Sequence, residues 1–424
     1  MSNDNAMSPR DLDILRRLVA KKMEMAADPV NLECKAAWYA YDACDADARP
    51  MVLAEVGGVM NEVFAGRVYE CQGQEARGIE GGLVDEIWQF EELRDDHVVV
   101  PALHVWWQPG STDYGVQAVT HMSGTTDGRM GARNWEAPIK DITRDFDKLH
   151  AREFSIDREP TLARKDRLEQ LFGDLIEVRL EGGVGWTQGL TWPAIDLIGL
   201  ENLMMFMYDD ADGLHRLMAF LRDDHIAFHD WMQAEGLLTL NNLNQYTGSG
   251  SVGYTHDLPQ PDWREGDPVR IKDMWCLCES QETVGVGPEQ FAEFIFPYQA
   301  AVAERFGKCY YGCCEPVHSR WHVIRQLHNL ARVSVSPWCD QQFMAEAMGE
   351  RYGFSRKPNP TMISTETFDE DFIRDDLTET LRITKAHGCP VEIVMKDVHT
   401  LNREPGRLAR WVQLAREQVD EVYG

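Results

Sequence analysis

The chain has 424 residues and a formal net charge of −28, with 44% hydrophobic and 26% charged residues. This is the composition of a folded, water-borne protein with ample core, and a surface so acidic repels phosphates, which excludes nucleic acid and anionic membrane as natural partners. No apolar run reaches the roughly 18 residues that a bilayer requires, and the first residues lack the apolar stretch of a signal peptide. A cytoplasmic location with ten cysteines kept as thiols is therefore expected.

Residues 9–26 read as a helix, opened by Ser8-Pro9 and carrying Leu12, Ile14, Leu15 and Leu18 on one face. Residues 30–150 mix short apolar runs with glycines and acidic clusters. From about residue 95 the pattern becomes rhythmic, with eight short β-prone runs: 98–107, 185–192, 237–245, 271–278, 308–314, 331–338, 352–357 and 391–397. Amphipathic stretches lie between most of them, at 212–221, 288–296, 341–348 and 369–386, with a last one over 403–423. Asp340 and Gly349 suit the two ends of the third.

Strand and helix alternating eight times is the pattern of a (β/α)8 TIM barrel, here with an N-terminal helical and irregular extension over residues 1–95 and the barrel over 96–424. The competing fold, an open doubly wound sheet, has one supporting motif: Gly248-Ser-Gly-Ser-Val-Gly253 matches G-x-G-x-x-G. Two prolines follow closely, leaving no helix to receive a pyrophosphate, so this segment reads as a flexible loop.

A barrel keeps its chemistry at the C-terminal strand ends, and those ends are rich in polar residues. Cys313-Cys314-Glu315 with His318 is the sharpest cluster. Adjacent cysteines on a strand point to opposite sides, so one is expected to face the mouth and the other to pack behind it. Free cysteines also serve as small buried hydrophobes, which is the expectation for Cys276 and Cys278. Glu279 and Gln281 are stronger pocket candidates, because a carboxylate at a strand end must be solvated, paired or used. Lys396-Asp397-Val398-His399 follows a clean strand: Lys396 suits a substrate carboxylate, and Asp397 or His399 suits proton transfer or metal. The alternative there is an internal Lys–Asp pair. Lys357 and Asn359 divide between substrate contact and loop bracing. His104, Asn242 and Asn244 lie on apolar runs near strand ends, and Trp192 and Trp338 are placed to line a pocket for a flat group. His215, His225 and His229 read as a helix face.

Trp186–Leu203, Glu279-Ser-Gln-Glu-Thr-Val-Gly-Val-Gly-Pro288, Tyr311-Gly-Cys-Cys-Glu-Pro316, Val333-Ser-Val-Ser-Pro-Trp338, Lys357-Pro-Asn-Pro360 and Met395-Lys-Asp-Val-His-Thr400 together resemble the uroporphyrinogen decarboxylase-like superfamily, in particular its corrinoid-associated branch. The resemblance covers residues 180–424, with a looser fit from about residue 50. It implies a TIM barrel with its site at the C-terminal mouth, and either decarboxylation or zinc-dependent methyl transfer to cobalamin on a separate protein. Two departures stand out. The Arg-rich N-terminal segment of the decarboxylases is missing, which disfavours a tetrapyrrole substrate. The His-x-Cys pair and the last-strand Cys of the zinc methyltransferases are replaced by Gly312-Cys-Cys314 and by Lys396-Asp397-x-His399.

The leading expectation is thus a corrinoid-dependent methyltransferase of O-demethylase type. It would take a methyl group from a small, possibly methoxylated aromatic substrate. Its catalytic residues would be Lys396, Asp397, His399 and Glu315, with a mixed zinc site of Glu279, Cys314 and His399. Substrate contacts would come from His104, Trp192, Asn242, Asn244, Gln281, Trp338, Lys357 and Asn359. The chain has no D-x-H-x-x-G cobalamin motif, so the corrinoid would arrive on a partner protein; a homo-oligomer is compatible with the sequence. The alternatives are a metal-free decarboxylase or lyase acting on a small carboxylate, and a non-catalytic ligand-binding barrel.

Overall fold

The computed structural model describes residues 7–122 and 133–424. Its strands in chain order are β1 (Met51–Ala54), β2 (Ala102–Trp106), β3 (Pro109–Ser111), β4 (Val119–Met122), β5 (Arg133–Glu136), β6 (Phe154–Ile156), β7 (Glu177–Glu181), β8 (Tyr246–Gly248), β9 (Ser251–Val252), β10 (Trp275–Cys278), β11 (Lys308–Tyr311), β12 (Leu330–Val335), β13 (Gly353–Arg356) and β14 (Val391–Met395). Six of them form a central parallel sheet in the order β1-β14-β13-β12-β11-β10, and β2 pairs with β7 in a second parallel ladder. All residues of β10, β13 and β14 are buried, as expected of strands covered on both faces. Among the described residues no helix is long and apolar enough to cross a membrane.

The expected helices form largely where the periodicity places them, at Pro9–Ala26, Ala211–Ala234, Gln341–Met348, Glu370–Ala386 and Arg407–Tyr423. Their ends have the anticipated chemistry. Ser8 and Asp340 each accept a backbone N–H of the first turn, from Asp11 at 3.0 Å and Phe343 at 2.9 Å. Gly388 follows the helix that ends at Ala386 and adopts φ +67°.

Three expectations are corrected. The run 185–192 is not a strand: Thr191–Ile198 is helical, and the ladder partner of β2 is Glu177–Glu181, whose alternating charges hid it. Gly185 at φ +98° and Pro193 in the first helical turn both disfavour an extended strand there. The run 237–245 forms no ladder either. Thr239 N donates to Gly182 O at 3.1 Å, the Asn241 side chain both donates to and accepts from the backbone of Trp275, at 2.9 Å each, and the end of the run meets Gly253 through two backbone hydrogen bonds. An amide side chain thereby occupies the place of a strand pair between β7 and β10.

The third correction concerns Gly248–Gly253. This segment is not a flexible loop but a buried antiparallel hairpin, β8–β9, inserted against the sheet. A Cβ on Gly248 would lie 2.5 Å from the Tyr310 ring, and one on Gly250 (φ +85°) would lie 2.7 Å from Val394. The glycines are therefore required by close approach to the sheet, not by phosphate binding.

The first 95 residues are joined to the rest. β1 lies within them and is an edge of the central sheet. Ile14, Leu15 and Val19 share a core with Leu168, Phe172 and Val178, and Trp38 and Tyr41 share another with Leu53 and Val394.

Candidate functional site

The ends of β11 and β14 meet at the C-terminal edge of the sheet. β11 stops at Tyr311, and Gly312 at φ +97° turns the chain sharply. Strand alternation therefore does not apply to the next two residues. Both thiols turn to the same place, with Cys313 Sγ and Cys314 Sγ 3.6 Å apart. Opposite them Lys396 Nζ lies 3.5 Å from Cys313 Sγ and 4.0 Å from Cys314 Sγ, and it donates to Asp397 Oδ2 at 2.7 Å. Cys314 Sγ lies 3.4 Å from the same carboxylate oxygen. Asp397 reaches this position from a left-handed backbone, φ +56°.

The electrostatics follow from these contacts. The hydrogen bond from Cys314 favours the Cys313 thiolate, burial opposes it, and Lys396 favours it again, so Cys313 falls to about 7. Cys314 is raised, chiefly because it holds the shared proton beside Cys313. Burial works against the Lys396 ammonium, but Cys313, Cys314 and Asp397 outweigh it and keep the amine protonated. Glu55, at the end of β1, is raised by burial while Lys396 opposes the shift. Lys357 is buried, donates to Ser355 and is lowered to about 7, by burial first and with Glu392 opposing.

Glu315, expected to be catalytic, has a structural role. Its carboxylate accepts the backbone N–H groups of Ser280 and Cys313, both at 2.9 Å, and so fastens the turn that presents the thiols. His399 is exposed, lies beside the turn at Gly58 and has no contact with the thiol cluster. Asn242 donates to Thr255 O and Leu258 O, and Asn359 caps the turn at Thr361; both brace loops. Asn244 adopts φ +68° and accepts from Val98 N at 3.4 Å.

The expected zinc ligands do not converge. Glu279 is fully buried, accepting from Thr187 Oγ1 at 3.2 Å and Gln281 N at 3.0 Å, whereas Cys314 belongs to the Lys396 cluster and His399 to neither. Among the described residues no group of three or more His, Cys, Asp or Glu side chains is arranged to hold a metal ion. These donors do not fit zinc.

Trp192, Gln281 and Trp338 do meet. With Glu282, Val284, Cys314 and Pro316 they line an open cavity of about 670 Å³ above the thiols. Trp338 is 62% exposed. His104 lies elsewhere, in a second cavity. Two residues escaped the sequence reading, Glu55 beside Lys396 and Tyr246 in the lining of the second cavity. Glu55 follows an inconspicuous four-residue strand, and Tyr246 sits in the glycine-rich hairpin. A strand ending in a carboxylate was the available signal for the first.

No family model matches the sequence, and no curated protein matches it. Among solved structures, a methyltransferase from Methanosarcina mazei aligns with a TM-score of 0.47 at 12% identity, covering 92% of this chain and 99% of its own.

Proposed function

We propose that the chain is a methyltransferase that removes a methyl group from a small substrate, a methoxylated aromatic compound being the leading class, and passes it to a corrinoid carried by a partner protein. In this reading the six-stranded sheet, the β2–β7 pair and the bridge at residues 239–241 make up one (β/α)8-type barrel, with its mouth at the thiol cluster. The observation that carries the reading is the Lys396–Asp397–Cys314 cluster, whose Cys314 lines an exposed, tryptophan-lined cavity.

Cleaving a methyl–oxygen bond is limited by the leaving oxygen, which must be protonated as the bond breaks. Lys396 Nζ is held protonated and would supply that proton. Asp397 Oδ2 accepts from Lys396 and orients the ammonium. Trp192, Val284, Pro316 and Trp338 form a flat apolar rim suited to the face of a large macrocycle. A reduced corrinoid, when bound there, supplies the nucleophile that accepts the methyl group. No step passes through zinc.

The test is to incubate the protein with free reduced cobalamin and a panel of methoxylated aromatics. Methylcobalamin, followed by its visible spectrum, and the matching phenol are expected in equal amounts. Lys396→Met should slow the reaction about a hundredfold or more, the range for loss of a general acid. A second reading, a metal-free decarboxylase or lyase, is favoured by the two buried amines, Lys357 and Lys396, near the raised carboxyl of Glu55. Release of CO2 from a small carboxylate without any corrinoid would select it. Affinity without turnover on either panel would sink both and leave a ligand-binding barrel.

A further inference from the structure

The second cavity, about 610 Å³, runs along the β2–β7 pair, and neither thiol is part of its lining. Its volume falls in the range of small-molecule sites. Trp106, Trp107, Trp186 and Tyr246 contribute flat aromatic surface to its lining. Trp186 Nε1 donates to the Tyr246 hydroxyl at 3.1 Å, holding two of these rings together.

One polar group is built into this lining with care. Glu181 is 3% exposed, and both of its oxygens are occupied. Oε1 accepts from His104 Nδ1 at 2.7 Å and lies 3.4 Å from Gln245 Nε2; Oε2 accepts from Thr239 Oγ1 at 3.1 Å. In the tautomer whose Nδ1 donates to the carboxylate, Nε2 is an acceptor, and no hydrogen bond from a protein group reaches it among the described residues. An acceptor inside an aromatic cavity selects a ligand that brings a donor. The buried Glu181 carboxylate and the net charge of −28 disfavour an anionic ligand. The backbone also gives way to a ring here, because a Cβ at Gly183 or Gly185 would meet nothing within 4 Å.

The geometry points to a binding site for an uncharged aromatic hydroxyl compound, a phenol of one or two rings, its O–H donating to His104 Nε2 and its ring packed among Trp106, Trp107 and Trp186. The assignment goes beyond methyl transfer and stands whether or not the thiol cluster turns any substrate over.

Calorimetry and tryptophan fluorescence with 2-naphthol, 2-methoxynaphthalene and 2-naphthoate test it by binding alone. Saturable one-site binding of 2-naphthol is expected, with the methyl ether and the carboxylate each at least tenfold weaker. His104→Leu, which keeps bulk and removes the acceptor, should weaken 2-naphthol at least tenfold. Gly183→Val, which fills the cavity without a backbone penalty, should do the same, and thermal melts of both variants establish that they fold. Trp338→Ala, at the other cavity, should leave the affinity unchanged. Absence of saturable binding, equal affinity for naphthol and its ether, preference for naphthoate, indifference to both His104→Leu and Gly183→Val, or loss of affinity in Trp338→Ala would each overturn the assignment.

Discussion

At the scale of single residues, the thiol pair holds one proton between two sulfurs, and its neighbours decide when that proton leaves. Cys313 deprotonates at about 7 because Cys314 donates to it and Lys396 faces it. Alkylation of Cys313 by iodoacetamide, followed by peptide mass spectrometry, should show a midpoint near 7 in the wild type. Lys396→Met should move the midpoint up. Cys314→Ala should move it up further, since the Cys314 hydrogen bond is the larger influence. An unmoved midpoint in both variants would remove the network from the chemistry.

Lys357 supplies a stability test at the same scale. Its amine is lowered to about 7 by burial, below the ordinary value of 10.5. Between those pH values the unfolded chain binds a proton that the folded chain does not, so this group makes stability rise with pH across that window. Thiols titrate in the same range with the opposite sign, so the difference between wild type and Lys357→Met is what matters. The wild type should gain on the variant between pH 7 and pH 10, read as urea midpoints.

At the scale of elements, the β8–β9 hairpin is specified by what it packs against. Gly250→Ala combines φ +85° with a Cβ 2.7 Å from Val394 and 2.9 Å from Glu55. A loss of about 2–4 kcal/mol is expected, the range for strain in a packed core. Gly236→Ala has a similar φ of +66° but open space around its Cβ, so it should cost only about 1 kcal/mol, the backbone term alone. Equal costs in chemical denaturation would mean that the hairpin does not bear on the sheet as described.

At the scale of the whole molecule, Arg332 ties four parts of the chain together. It is 1% exposed, donates to Ser251 and to Val252 O in the hairpin, and lies 3.5 Å from both Asp42 and Glu392. Glu392 in turn accepts from Ser251 and Ser355, and Tyr310 donates to Ser355 at 2.8 Å. The helix Pro29–Asp42, the hairpin and the central sheet therefore share one buried polar network. Arg332→Met leaves Glu392 with hydroxyl partners but without its arginine, and Asp42 with Lys308 alone, and about 3–5 kcal/mol of destabilisation is expected in urea unfolding. Retained stability would mean that the network is dispensable packing.

The linear sequence determined the elements whose signal is local. Helices with a caps-and-periodicity signature, such as Gln341–Met348 and Glu370–Ala386, and strands with continuous apolar runs, such as β14, were legible because propensity, capping and burial all act within a few residues. The same locality made Lys396, Asp397 and Cys314 readable as candidates, since each sits just past a clean strand end, and the fold brings the three together. Tertiary structure decided the rest. β7 was hidden because its charges alternate like those of a surface segment, and the gap at residues 239–241 is bridged by one asparagine side chain, which no periodicity reports. Glu315, His399, Asn242 and Asn359 have site-like chemistry, but their hydrogen-bond partners or positions lie away from the cluster. Whether a polar side chain reacts or braces depends on which distant backbone reaches it first, and that is a property of the packed chain.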